Sequence, residues 1–264
     1  MSNYHTDMRL FVTSVLNEEP WKYDSKVIPL PWRQVEADII KSKINSGGLT
    51  IGFYNCDGNV NAPGICLNGI RLHLQVLPHP PILRGIETVV STLKAAGHNV
   101  FPWTPYKHNF AVDLINGIYA SDGGTDVFDT LKQSGEPAIP NFKDLINPSL
   151  PKIDMNELWA VQLKKWAFQS EYLEQFRLAE ETLGKEIDAI VAPITPTAAV
   201  RHNQFKYYGY ASAINLLDFT SVVVPVTFAD KSIDKKIEDY KPLNKLDETV
   251  QAECKYLCPK IEYY

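Results

Sequence analysis

Residues 46–103 read as strand, helix, strand, and that order restricts the fold more than any other feature of the chain. Residues 46–54 (SGGLTIGFY) form a turn feeding a buried strand. Pro80 and Pro81 open a helix, since proline fits a first turn whose N–H groups have no intrahelical partner. Its apolar positions are Leu83, Ile86, Val90 and Leu93, and Gly97 is placed to end it. Residues 100–103 supply the next strand. Parallel strands need a crossover of this kind, and the sheet they build carries helices on its faces. The expected class is α/β.

One connection does not fit. About 26 residues separate Tyr54 from Pro81, whereas loops in such units usually run ~2–6 residues. The atypical part is residues 61–75 (NAPGICLNGIRLHLQ), which follows neither a helical nor a strand period.

The rest of the chain is readable in the same way. Met8, Phe11, Val12, Val15 and Leu16 lie on one helical stripe, with Thr6 or Asp7 as N-cap. A core-facing helix is therefore expected to start close to Met1, and residues 1–7 have neither the basic nor the apolar pattern of a secretory signal. Residues 110–119 and 126–134 are helical, stopped by Gly123-Gly124 and Gly135. Asp154 and Glu157 make a capping box for a long helix ended by Gly184. Residues 188–192 (DAIVA) form a short buried strand, and residues 210–217 a helix. Residues 221–227 (SVVVPVT) read as a β-branched strand broken by Pro225, and beyond Phe228 the pattern fades.

A net charge of −5 argues against a nucleic-acid surface. The longest apolar run, residues 219–228, contains Pro225 and is too short to span a bilayer. A cytoplasmic location follows as the expectation. Cys56, Cys66, Cys254 and Cys258 are too sparse for a disulfide framework, and no histidine near the last two suggests zinc. No phosphate-binding glycine motif or nucleophile elbow is present, and without HExxH or a His-carboxylate cluster a metal site is not expected. His79 lies at a helix start, where a structural role is expected. His98 and His108 are expected to face solvent. In an open α/β sheet, ligands bind beyond the carboxyl ends of the strands. The stretch DAIVAPITPTAA (188–199) runs a strand into a loop stiffened by Pro193 and Pro196. It is either a pocket wall or a plain connection.

Several segments together resemble the amidase signature enzymes, in particular the C-terminal half of fungal acetamidase-like amidases. They are DMRLFVTSVL with EPWKYD and PLPWR (7–33), IGFYNCDG (51–58) and PHPPILRGIETVVSTLKAAGHNVFPWTPY (78–106). IYASDGGTDV, SGEPAIP and ELWAVQ follow, then DAIVAPITPTAA, YYGYASAINLLDFTSVVVPVT (207–227) and YKPLN (240–244). The resemblance covers most of residues 1–250, taken as one partial domain with an insertion at 61–75. Residues 251–264 form a divergent tail.

The resemblance implies an incomplete amidase signature fold, a mixed β-sheet covered by helices on both faces. It implies hydrolysis of a carboxylic amide to carboxylate and ammonia by a serine nucleophile, a second serine in a cis peptide and a lysine base, with backbone N–H groups as oxyanion hole and no metal or organic cofactor. In that family these groups lie upstream of the helix that opens this chain, so no catalytic residue is assigned here. Thr195, Pro196, Tyr210, Asn215 and Asp218 are expected to face the space where the missing half would hold its serine, and to shape the fit of a small amide substrate. A sheet lacking strands at both chain ends would leave residues 49–54 and 221–227 poorly protected. The alternative is a non-catalytic fragment, pseudoenzyme or partner subunit. A weaker one is a doubly wound small-molecule binding domain, disfavoured by the absent glycine fingerprint.

Removing residues 61–75 leaves DGNVVLPHPP, and removing Val60 with them leaves DGNVLPHPP, a short loop of that family's type. Valine codons begin GT and a glutamine codon can end AG, as intron borders do, so the segment reads as a retained intron. Sequencing the mature transcript is expected to show those codons absent; a message encoding NAPGICLNGIRLHLQ overturns this.

Overall fold

A computed structural model describes residues 4–58, 76–140 and 151–254. The insertion at 61–75, with Cys66, and residues 255–264 of the tail, with Cys258, lie outside the described residues.

The expected crossover is present. Strand β1 (Thr50–Phe53) leads through helix α3 (Pro80–Ala95) to β2 (Asn99–Pro102). The third strand, β3 (Ala189–Val191), pairs on the other side of β1. The sheet order is β2-β1-β3, and both pairings are parallel, with Thr50 opposite Asn99 and Ile51 opposite Ala189. The described strands are thus all parallel. Residues 49–54, expected to be poorly protected, instead hold β1, the centre of the sheet. Residues 221–227 join no strand among the described residues and are exposed: Val223 keeps 61% of its surface. Pro225 denies that run one ladder donor.

Two helices precede the sheet, α1 (His5–Asn17) and α2 (Gln34–Asn45). The N-cap of α1 is Tyr4, without a side-chain cap bond, where Thr6 or Asp7 was expected. Beyond β2 come α4 (His108–Tyr119) and α5 (Thr125–Ser134). Gly123 and Gly124 between them take the left-handed conformation that a side chain would strain. The long helix α6 (Met155–Leu183) carries the expected capping box: Asp154 accepts from the Glu157 N–H, and Glu157 reaches back to the Asp154 N–H. Gly184 ends it in the left-handed region. Helix α7 (Gly209–Leu217) packs on α4, and α8 (Lys245–Glu253) closes the described chain. No described helix is long and apolar enough to cross a membrane.

The core lies beyond the carboxyl ends of the strands. Tyr54 and Trp103, the residues that follow β1 and β2, are buried with Ala111 and Ile115 of α4, Phe168 and Tyr172 of α6, and Ala213 and Leu216 of α7. The opposite situation holds at α1 and α2, where no residue is buried. Phe11, Val35 and Ile44 stand open, so the stripe that marks α1 as core-facing has no cover among the described residues. Helix α6 is apolar on two faces. Phe168 and Tyr172 enter the core, while Trp159, Leu163, Trp166 and Leu173 lie exposed. A second apolar face left open on a helix that already fills the core is surface suited to burial against further protein. The purified chain is therefore expected to bind an apolar-surface dye and to elute from a sizing column earlier than a 29.8 kDa monomer. A monodisperse, cooperatively melting monomer contradicts this.

Candidate functional site

The carboxyl end of β1 delivers a carboxylate into a dry environment. Asp57 is buried, and its carboxylate accepts from the Tyr207 hydroxyl and from the Val76 N–H. Tyr210 completes the group. Its hydroxyl donates to the Val76 carbonyl (2.8 Å) and accepts from the Asp57 N–H (3.3 Å). Burial dominates the titration of Asp57 and pushes its pKa up to about 7, against the donors that favour the charged form. Gly209 permits this packing, since a Cβ there would stand 2.0 Å from the Tyr207 hydroxyl.

A second buried carboxylate holds the next residue. Asp247, on α8, accepts from the Leu77 N–H (3.0 Å), the Leu243 N–H (2.9 Å) and the Tyr240 hydroxyl. Gln251 of the same helix donates to the Leu77 carbonyl. His79 then bonds to two other segments. Its N–H donates to the Pro196 carbonyl (2.7 Å), and its Nε2 meets the Val250 carbonyl (2.9 Å). The extended segment 76–79 is thereby tied to β1, α7, α8 and the loop after β3.

That loop is the expected pocket wall. Thr195 is half-buried, its hydroxyl 3.3 Å from that of Thr197. Pro196 is fully buried and faces His79 through its carbonyl. Tyr210 is buried in the core, on the same short segment that receives Pro196. Asn215 and Asp218 are exposed at the other end of α7, with Asp218 as its left-handed C-cap. So Tyr210 and Pro196 converge on residues 76–79, while Asn215 and Asp218 sit together at the helix end.

Two histidines differ from expectation. His98 and His108 are buried, not solvent-facing. His98 Nδ1 accepts the Leu49 N–H (3.4 Å). His108 lies against Tyr54 edge-on, and its Nε2 is hydrogen-bonded to the Tyr172 hydroxyl (3.1 Å), which itself receives the Trp103 indole N–H (3.3 Å). Its Nδ1 and the Tyr54 hydroxyl are buried without partners among the described residues. Burial drives the His108 pKa down to about 4. Asp57, Asp247 and Glu253 escape the sequence reading because no motif surrounds them. The one signal that favours Asp57 is its place just beyond a strand's carboxyl end.

Parallel strands with a proline-rich loop at their carboxyl ends define an α/β protein of the kind that binds ligands along that edge. The family model described as Amidase matches residues 1–245, and the chain belongs to that family. It is 64% identical to an acetamidase of Emericella nidulans and 58% identical to an acetamidase of Aspergillus oryzae, each over 94% of this chain and 42% of the relative. The chain thus spans about two fifths of the length of these curated relatives. Its fold is similar to that of a fatty acid amide hydrolase, with a TM-score of 0.73 and 24% identity, over 94% of this chain and 40% of that one.

The buried groups set opposite pH trends. Asp57 has a folded pKa above its unfolded value, so its contribution is complete in acid and is lost as pH rises through about 7. His108 has a folded pKa below its unfolded value, so its contribution is complete above about 6.5 and is lost as pH falls towards 4. Asp57→Asn is therefore expected to gain on the wild type as pH rises from 4 to 8, by at most on the order of 4 kcal/mol. His108→Phe is expected to gain as pH falls from 7 to 4. Urea unfolding at each pH measures both, and parallel stability curves for variant and wild type would contradict them.

Proposed function

We propose that this chain provides the substrate-facing C-terminal portion of an amide hydrolase, acting on small carboxylic amides to give carboxylate and ammonia. The observation that carries this reading is 64% identity to an acetamidase across 94% of the chain. In this reading the serine nucleophile, the cis-serine and the lysine base belong to the part of the enzyme that the relatives carry beyond the matched residues. The exposed apolar faces of α1, α2 and α6 support a further layer of protein packed on them. The same faces also fit a chain that pairs with a separately supplied amino-terminal portion.

The contribution of the present residues is then to position. The half-buried Thr195 hydroxyl and the exposed turn with Asn215 and Asp218 line the substrate side. Pro196 and Tyr210 hold that wall from behind through residues 76–79. Walls of this type fix the orientation of the amide carbonyl against nucleophile and oxyanion donors. Alone they lower no chemical barrier, because binding that is equal in ground and transition states does not raise the rate of the bond-breaking step.

The 264-residue chain is expected to release no ammonia from acetamide above the uncatalysed rate. Fused to the unmatched amino-terminal portion of the Emericella nidulans acetamidase, with residues 61–75 removed, it is expected to turn over. In that fusion Thr195→Ala should raise KM several-fold more than it lowers kcat. Turnover by the chain alone would place the nucleophile within these residues and overturn the reading.

A further inference from the structure

We infer that His79 is the positioning residue of the loop between β3 and α7, working as a two-ended tie between that loop and helix α8. The inference rests on the reading of this loop as a substrate wall only for its catalytic consequence, not for the mechanics.

The loop, residues 192–208, is anchored at three described points. At its far end Tyr207 donates to Asp57. In its middle Arg201 forms a two-pronged pair with Glu253 of α8, at 2.6 and 3.1 Å. Near its start, where Thr195 and Thr197 lie, the tie is the His79 N–H on the Pro196 carbonyl at 2.7 Å. That donor is fixed in turn by its own side chain. The imidazole is fully buried, and Nε2 sits 2.9 Å from the Val250 carbonyl. A carbonyl only accepts, so Nε2 carries the proton and the ring is the Nε2–H tautomer. Asp247 and Gln251 hold Leu77, two residues earlier, from the same helix. His79 also precedes Pro80 and Pro81, which fix the backbone on its other side. The result is a donor aimed at one carbonyl, with its direction set by a nine-residue helix on one side and a proline-started helix on the other.

The chemistry of the ring decides the role. A residue that merely filled this space could be replaced by leucine of similar volume. A tie requires an N–H at the Nε2 position. Glutamine reaches that position, while asparagine, one methylene shorter, places its amide near Nδ1 and misses Val250.

The test compares His79→Gln and His79→Asn in the full chain, two polar variants that differ in reach, with His79→Leu as third. Amide hydrogen exchange in peptides covering 192–208, together with tryptic cleavage after Arg201 and Lys206, reads the loop. Peptides covering Thr50–Phe53 and Asn99–Pro102 read the sheet. His79→Asn and His79→Leu are expected to accelerate loop exchange about tenfold or more with the sheet unchanged. His79→Gln is expected to stay near wild type. Equal loop exchange in the glutamine and asparagine variants, or acceleration of loop and sheet together, overturns the inference. In the fused enzyme, a loosened loop with unchanged KM for acetamide would instead refute the wall reading and leave the tie standing.

Discussion

The structure depends on a buried carboxylate that needs donors. Asp57 leaves β1 at its carboxyl end and is out of solvent. A charged group there costs several kcal/mol unless it is hydrogen-bonded. The donors come from distant parts of the sequence: the Tyr207 hydroxyl at the entrance of α7 and the backbone of Val76. Tyr210 ties the same two backbones together through one hydroxyl. Strand β1, helix α7 and segment 76–79 are therefore fixed relative to each other by one polar group. A further consequence concerns residues 59–75. Asp57 and Val76 are hydrogen-bonded directly, so the chain on either side of that stretch meets in space.

Local rules recovered most of the regular elements. The crossover β1–α3–β2 follows from periodicity and two prolines, and the capping box at Asp154 and Glu157 placed the start of α6 to the residue. Glycine stops at Gly124, Gly135 and Gly184 all have left-handed conformations. What failed has a common cause, namely tertiary context. Residues 221–227 have strong strand composition, but a strand needs a neighbour and none is found among the described residues. Helix α2 has apolar residues with no cover, so its stripe is not distinctive. Helix α8 is short and mostly polar outside; its importance lies in Asp247, Val250, Gln251 and Glu253, each of which acts on a segment more than 50 residues earlier.

The candidate site was legible to the same degree. The loop after β3 is where topology alone puts it, since ligand loops gather at the carboxyl ends of parallel strands. The sequence also led to Tyr210 and Pro196. It did not show that both are hydrogen-bonded to residues 76–79. Nor did it show that His108 is buried, because a histidine at a helix start after an exposed lysine looks like surface. The aromatic surroundings that bury it, Tyr54 and Tyr172, come from other elements.

The division of labour between polar and apolar contacts follows from what is covered. Burying one large apolar side chain contributes roughly 1.5–3 kcal/mol, and a domain's net stability is only ~5–15 kcal/mol. The open faces of α1, α2 and α6 therefore represent a large part of the stability that a complete core would supply. A loop positioned by such packing would shift with whatever covers those faces. The loop after β3 is instead held by hydrogen bonds at Pro196, Arg201 and Tyr207. Each is individually worth only ~0.5–1.5 kcal/mol, or ~1.5–3 kcal/mol where a charge is involved, but each has a direction. Directional ties to His79, to Glu253 of α8 and to Asp57 beyond β1 hold the loop at set points, whereas apolar packing fixes no direction.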